Sequence, residues 1–305
     1  MQNKNLNFIF WGTPDVASET LEILKENGYL PSLIITNPDA PSGRGMHLSA
    51  SPVGIWAKEN KIPCLKPEKI TKEVEEEIWS VLRTLGRSGD DGQRKFLVEN
   101  FRGEQNTPDF FLVVAYGKIL PEELINLPKF GTINIHYSLL PKYRGASPVE
   151  QTILNGDIET GISIQQMRFK LDSGPIIAQE KISIDPNENK ITLLNKLVQA
   201  GGNLLVKILP DIFEEKIKLK EQDELQATKC GKIKKEDGLL NLNDDPLKNY
   251  NKYRAFFGYP GTYFFKENKR YKITKAKFEN NKFIIEKIIP EGKKEIKYEE
   301  FLKQS

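Results

Sequence analysis

GTINIHYSLLPKYRGASP, Gly131 to Pro148, begins as a strand and ends as a loop. Thr132, Asn134 and His136 alternate with Ile133 and Ile135, the period of two that sends successive side chains to opposite faces. The isoleucines point into a core, and Asn134 and His136 emerge together on the other face. After His136 the alternation stops, and SLLP followed by KYRGASP brings two prolines and a glycine, the punctuation of a loop. Open α/β sheets hold their ligands where apolar strands end in loops on the carboxyl side. His136 is one of only two histidines in 305 residues. It is a candidate functional residue, although a strand-end histidine can also simply cap the loop that follows.

The sequence upstream supplies the rest of a sheet. Leu6 to Trp11, LNFIFW, reads as a buried strand, the turn GTPD follows, and VASETLEILKENG fits a helix ending at Gly28. Leu33 to Thr36 is a second short strand. Strand, helix and strand with short links predict a parallel, doubly wound sheet. Gly12-Thr13-Pro14 is not GxGxxG and lends no support to dinucleotide binding. Asn37 to Pro52 is too polar and too rich in proline and glycine for regular structure, and it carries Arg44 beside His47; a long loop of this kind in a compact domain is usually functional or disordered. A helix is expected over Val53 to Asn60, a strand over Ile62 to Leu65, an acidic helix over Pro67 to about Leu85, and a central strand over Phe110 to Ala115. Ser88 to Thr107 reads as a surface insertion without assignable function.

Downstream, Gly161 to Phe169 is strand-like, and LDSGP, Leu171 to Pro175, is a tight turn before IIAQEKISI. Asp172 in that turn is well placed to aim a carboxylate, though an aspartate there is also a common turn cap. A long helix is expected over Thr192 to about Phe213, and the lysine-rich stretch from Lys216 to Lys235 suits a linker. The remainder alternates apolar and charged residues around ENK, ENN and PEGK turns, which predicts a small antiparallel β module.

Composition narrows the function classes. With 38% hydrophobic and 29% charged residues the chain is ordinary for a globular protein, and it contains no apolar run of membrane-spanning length. The N-terminal residues enter a strand without the features of a secretory signal, so a cytoplasmic location is expected. Cys64 and Cys230 lack metal-ligand spacing, and no structural metal is expected. Residues 216–305 carry 22 Lys+Arg against 14 Asp+Glu, a net +8, whereas the whole chain is +3 and the first 215 residues are therefore −5. A basic C-terminal third on an acidic body is the asymmetry of an appended nucleic-acid-binding module, or of a solubilising surface.

Asn134, His136 and Asp172 together, with no serine or cysteine cast as a nucleophile, argue against a covalent acyl-enzyme and suit direct acyl transfer to a nucleophile that the substrate supplies. An asparagine amide can donate to a developing oxyanion. An imidazole can stabilise the same charge or relay protons, and a carboxylate can orient the imidazole.

These residues also carry a resemblance. NIHYSLLPKYRGASP followed by LDSGP is similar to the signature of the 10-formyltetrahydrofolate-dependent formyltransferases. FWGTPDVA, NPDAPSGRGMHLSASPV, RAFFGYPGTYF and PEGKKEIKYEEFL narrow the likeness to the branch whose acceptor is methionyl-tRNA. The resemblance implies that Asn134, His136 and Asp172 are the catalytic trio. It implies that Ser138, Leu139, Leu140 and Pro141 contact the folate co-substrate, and that the backbone of Val113 to Pro121, with Tyr116 and Gly117, lines the pteridine pocket. Arg44 and His47 would meet the acceptor end of the tRNA, and Lys232 and Lys235 would serve the basic module's contact with its body. The fold implied is a Rossmann-like parallel-sheet α/β domain over 1–215, a linker over 216–235, and a small, shortened OB-like β-barrel over 236–305. A monomer without metal, acting on initiator methionyl-tRNA, is the corresponding expectation. The alternatives are an amino-sugar N-formyltransferase, a formyltetrahydrofolate hydrolase, and a non-enzymatic RNA-binding protein. Tyr137 departs from the family pattern, where small residues or proline are usual. The insertion near 88–107 and the shortened C-terminal module depart from it too.

Overall fold

The apolar runs of the sequence become the inner strands of one sheet. The structure of the protein, a computed structural model, describes residues 6–42, 47–85 and 108–303. The first elements are β1 (Phe8–Gly12), α1 (Asp15–Glu26), β2 (Leu33–Ile35), β3 (Ala40–Ser42), β4 (His47–Ser49), α2 (Pro52–Glu59), β5 (Cys64–Leu65) and α3 (Lys72–Leu85). Then come β6 (Phe110–Val114), α4 (Glu122–Ile125), β7 (Thr132–His136), β8 (Arg144–Gly145), α5 (Pro148–Leu154), β9 (Glu159–Gln166), β10 (Ile176–Ser183) and α6 (Lys190–Phe213). The chain closes with β11 (Lys229–Cys230), α7 (Pro246–Ala255), β12 (Thr262–Lys266), β13 (Lys269–Glu279), β14 (Lys282–Pro290), β15 (Ile296–Lys297) and α8 (Tyr298–Lys303). Two compact units result: residues 1–136, 162–180 and 198–222 form the first, and residues 137–161, 181–197 and 223–305 the second.

The large sheet has the order β10-β9-β7-β6-β1-β2-β5. Pairing is parallel from β7 through β5, with Phe10 opposite Leu112 and Val113 opposite Asn134, and β9 runs antiparallel to β7. Every residue of β1 and β6 is buried, as expected of strands covered on both faces. On one face Ile9, Trp11, Phe111 and Val113 pack with Val74 and Ile78 of α3 and Leu124 and Ile125 of α4. On the other, Phe8 stacks on Phe110 at 5.0 Å, and Phe110 meets Phe213 at 5.9 Å. From β1 the chain builds outward to β2 and β5, then returns to add β6 and β7 on the opposite side. The loops after β1 and β6 therefore lie at a topological switch point, where such sheets take ligands.

In the second unit β12–β15 form an antiparallel sheet with β12 and β15 at its ends. The outer side of β12 is bridged by Leu239 to Tyr263, and Leu240 N–H donates to the Tyr263 carbonyl at 2.7 Å. The turns from β12 to β13 and from β13 to β14 are two-residue turns with positive φ, Glu267-Asn268 (50° and 59°) and Asn280-Asn281 (51° and 57°). That geometry matches the twist of the flanking strands. Its core is aromatic: Tyr250 stacks on Phe278 at 5.6 Å, Phe264 on Tyr271 at 5.3 Å, and Phe301 of α8 packs against both members of the latter pair.

Three expectations change. Asn37 to Pro52, read as irregular, contains the antiparallel hairpin β3–β4, with Ala40 opposite Ser49 and Ser42 opposite His47. Strands of three residues are too short to show a hydrophobic alternation. The C-terminal module is not purely β, because α7 and α8 belong to it. α7 begins where the Asp245 side chain accepts from Lys248 N–H at 2.8 Å with Pro246 in the first helical turn, a cap of about 1 kcal/mol. Its buried side includes Asn249, Asn251 and Arg254 beside two tyrosines, so apolar periodicity could not reveal it. Residues 216–235, read as a linker, are pinned: Lys220 pairs with Ile176 in the first unit, and β11 pairs with β8 in the second. The insertion at 88–107 lies outside the described residues, and no helix among the described residues is long and apolar enough to cross a membrane.

Candidate active site

β7 carries its two polar side chains as its alternation requires. Ile133 and Ile135 are buried, Asn134 is half-buried, and His136 is 6% exposed at the strand's carboxyl end. Asn134 Nδ2 donates to the Val113 carbonyl of the neighbouring β6 at 3.0 Å, which holds the amide close to the sheet.

Asp172 comes to this face from the turn after β9. Its φ of 49° lies in the left-handed region, where aspartate is among the few non-glycine residues found. The turn folds tightly on β9: a Cβ on Gly174 would run into the Gln166 carbonyl oxygen and lie 2.9 Å from its carbon. Gln222 Nε2 steadies it from outside by donating to the carbonyls of Asp172 (2.9 Å) and Gly174 (2.7 Å). Asp172 Oδ2 then stands 3.7 Å from His136 Nδ1, with both side chains largely buried. The three sequence-predicted residues thus come together within the first unit.

Gln165 joins them. It lies opposite Asn134 in the β7–β9 register and is 1% exposed. Its Nε2 donates to Asp172 Oδ1 at 3.0 Å and to Asn134 Oδ1 at 3.3 Å. A glutamine inside the apolar GISIQQ strand was the available signal. Gln222 had none, lying in the lysine-rich stretch. Ser163 faces His136 in register, so a serine does neighbour the histidine. It is wholly buried, however, and accepts from Gln179 Nε2 at 2.8 Å, a setting closed to nucleophilic attack on a substrate.

The other candidates are dispersed. Tyr116 is buried against Trp11, with ring centroids 5.3 Å apart, and burial pushes its phenol up to about 12, so it stays neutral. Its carbonyl accepts from Asn37 Nδ2 at 3.1 Å and from Thr13 Oγ1 at 3.4 Å, tying together the loops after β6, β2 and β1. Gly117 is exposed, with φ of 81° and nothing within 4 Å of where a Cβ would stand. In the second unit Ser138 is buried and donates to the Lys142 carbonyl at 2.6 Å, while Leu140 is buried and Pro141 half-buried. Leu139 lines a cleft of about 380 Å³ together with Lys142, Tyr143, Asp157 and Thr160. Tyr143 there donates to Asp157 Oδ2 at 2.6 Å, and burial followed by that bond pushes its phenol up to about 12. His47, Lys232 and Lys235 are exposed, and Arg44 lies outside the described residues. No group of three or more His, Cys, Asp or Glu side chains among the described residues could hold a metal ion.

The arrangement offers an amide donor, an imidazole and a carboxylate on one face, with no accessible serine or cysteine beside them among the described residues. Residues 4–209 match the formyl transferase family, and residues 232–284 match the formyl transferase C-terminal domain. The chain is 37% identical to the methionyl-tRNA formyltransferase of a Thermotoga species over 268 residues, 88% of this chain and 78% of that one. In fold it resembles an N-formyltransferase from Helicobacter canadensis solved with folinic acid and dTDP-3-aminofucose: TM-score 0.60, 18% identity, 96% of this chain and 98% of that one. It likewise resembles the methionyl-tRNA formyltransferase from Clostridium thermocellum: TM-score 0.56, 16% identity, 93% of this chain and 98% of that one. The chain therefore belongs to the formyl transferase family.

Proposed function

We propose that the protein transfers the formyl group of 10-formyltetrahydrofolate to the α-amino group of methionine esterified to initiator tRNA. The observation that carries the acceptor is the 37% identity to a methionyl-tRNA formyltransferase along 88% of the chain. The likeness to the sugar enzyme, at 18% identity, is one of fold.

In this reading the amine attacks the formyl carbon to give a tetrahedral intermediate, which collapses as the bond to the folate nitrogen breaks. The amine loses a proton and the folate nitrogen gains one. Asn134 donates to the formyl oxygen as it becomes negative, an effect worth about 3–4 kcal/mol when one such donor is removed. His136 supports the same charge and moves protons. Asp172 orients the imidazole and accepts the proton that the amine sheds.

Tyr116 and Gly117 after β6, and Ser138, Leu139, Leu140 and Pro141 after β7, are the proposed folate contacts. The open space above Gly117 supports this, since backbone can approach a flat heterocycle only where no side chain intervenes. Arg44 and His47 are proposed for the acceptor end of the tRNA, and Lys232 and Lys235 for its body. We place the reaction in the cytoplasm, with the protein acting as a monomer and without metal.

The test is formyl transfer from 10-formyltetrahydrofolate to charged initiator tRNA, with elongator methionyl-tRNA and an amino-sugar nucleotide as controls. Initiator methionyl-tRNA is expected to be the preferred acceptor. Formylation of the sugar nucleotide alone, or release of formate without any acceptor, overturns the proposal.

A further inference from the structure

We propose that Gln165 is a positioning residue that transmits the polarity of the Asp172 carboxylate to Asn134, fixing Asn134 as a hydrogen-bond donor toward the formyl oxygen. This rests on the reading of Asn134 and Asp172 given above.

The argument follows from which groups can donate. An ionised carboxylate only accepts. The Gln165 amide lies 3.0 Å from Asp172 Oδ1, so its nitrogen must face that oxygen; the opposite orientation would set two acceptors against each other. The same nitrogen then faces Asn134 at 3.3 Å, which requires the Asn134 oxygen there. Asn134's nitrogen is left to face Val113, where a carbonyl oxygen receives it at 3.0 Å. The Val113 carbonyl, which can only accept, asks for the same Asn134 orientation, so both neighbours of the amide agree. One of the two Asn134 N–H groups is spent on Val113, and the second is available for substrate oxygen. A reversed Asn134 amide would present a lone pair to a developing negative charge.

A second observation separates this role from ordinary packing. Gln165 is 1% exposed, yet its Oε1 is buried with no hydrogen-bond partner among the described residues. A buried amide with one end unsatisfied costs folding free energy. An apolar side chain of the same length would fill the position without that cost, so stability does not account for a glutamine here. The network it completes does.

The experiment is Gln165→Met in the full chain, alone and combined with Asn134→Ala, with steady-state kinetics on 10-formyltetrahydrofolate and methionyl-tRNA and a thermal melt for each variant. The single substitution is expected to lower kcat about 10–100-fold, the usual loss when a residue that orients a working side chain is removed. KM for both substrates should stay within about twofold and the melting midpoint should not fall, since binding contacts are untouched. In the Asn134→Ala background the same change should have little further effect, because the group it positions is gone. Gln165→Glu keeps the shape but loses the donor when ionised, and should lower kcat at least as far. Near-normal kcat in both variants while Asn134→Ala is crippled overturns the relay and leaves the catalytic reading standing. A lowered melting midpoint with unchanged kcat assigns Gln165 to packing alone. Full turnover in Asn134→Ala removes the catalytic reading, and the relay with it.

Discussion

His136 Nδ1 and Asp172 Oδ2 are 3.7 Å apart, longer than the 2.6–3.2 Å of a direct catalytic hydrogen bond. Such bonds are often long before substrate binds and tighten only in the complex. A pair that tightens as a unit has a kinetic signature. His136→Ala and Asp172→Ala should each be severe, and the double variant should be scarcely worse than the poorer single one. Asn134→Ala should cost about 10²–10³ in turnover while leaving folate affinity in place. Steady-state kinetics on the four variants decides it, and near-normal turnover in Asp172→Ala removes the carboxylate from the reaction.

The Asp172 turn depends on a glycine two residues on. Gly174→Ala would press a methyl group into the Gln166 carbonyl and within 3.3 Å of the Arg168 nitrogen, both backbone atoms that cannot swing aside. The turn must then move, and a displacement of about 1 Å in a reacting group can cost 10²-fold. A loss of that order in kcat is expected, with the circular dichroism of the sheet retained.

Asp109, next to β6, gives a pH prediction. Burial raises its carboxyl above the ordinary range, opposed by the Asn7 N–H that donates to it at 2.9 Å and by the charge of Lys129. A carboxyl raised on folding favours its protonated form in the native state. The associated stability is fully present below the unfolded value and is lost as pH rises through the folded one. Asp109→Asn is neutral at every pH and keeps an acceptor for Asn7. Its melting midpoint should match the wild type near about pH 3, where carboxylates are largely protonated, and exceed it above the carboxylate range. A constant difference across pH would mean that desolvation of the charge is not the cause.

The basic C-terminal residues make a salt prediction. A lysine that meets a phosphate contributes roughly 0.7–0.9 to the slope of log affinity against log salt, and its removal should flatten the slope by that amount. Lys232→Ala with Lys235→Ala should therefore give a shallower slope for tRNA while leaving folate binding unchanged. Identical slopes for variant and wild type would show that these two lysines only solvate the surface.

The sheet was legible because buried strands announce themselves: LNFIFW and FFLVV have no other use for so many large apolar side chains. Asn134 and His136 stood out as polar residues on such a strand, and Asp172 stood out in a turn framed by glycine and proline. What escaped was carried by pairing and not by pattern. The β3–β4 hairpin is three residues a side. α7 buries tyrosines and amides in place of leucines, and Gln222 acts through backbone carbonyls fifty positions upstream. Gln165 was visible as a letter, but only the β7–β9 register shows that it faces Asn134.

The tie from Gln222 to the Asp172 turn also sets a timetable. During synthesis the carboxylate emerges fifty residues before the amide that will steady it, an interval of about 3–10 s at ordinary rates of 5–20 residues per second. For that interval the nascent chain can pair its strands but cannot lock its site. A polypeptide interrupted near residue 215 would therefore carry every strand of the large sheet with the Asp172 turn still unheld, and that tie arrives only with the last residue of the first unit.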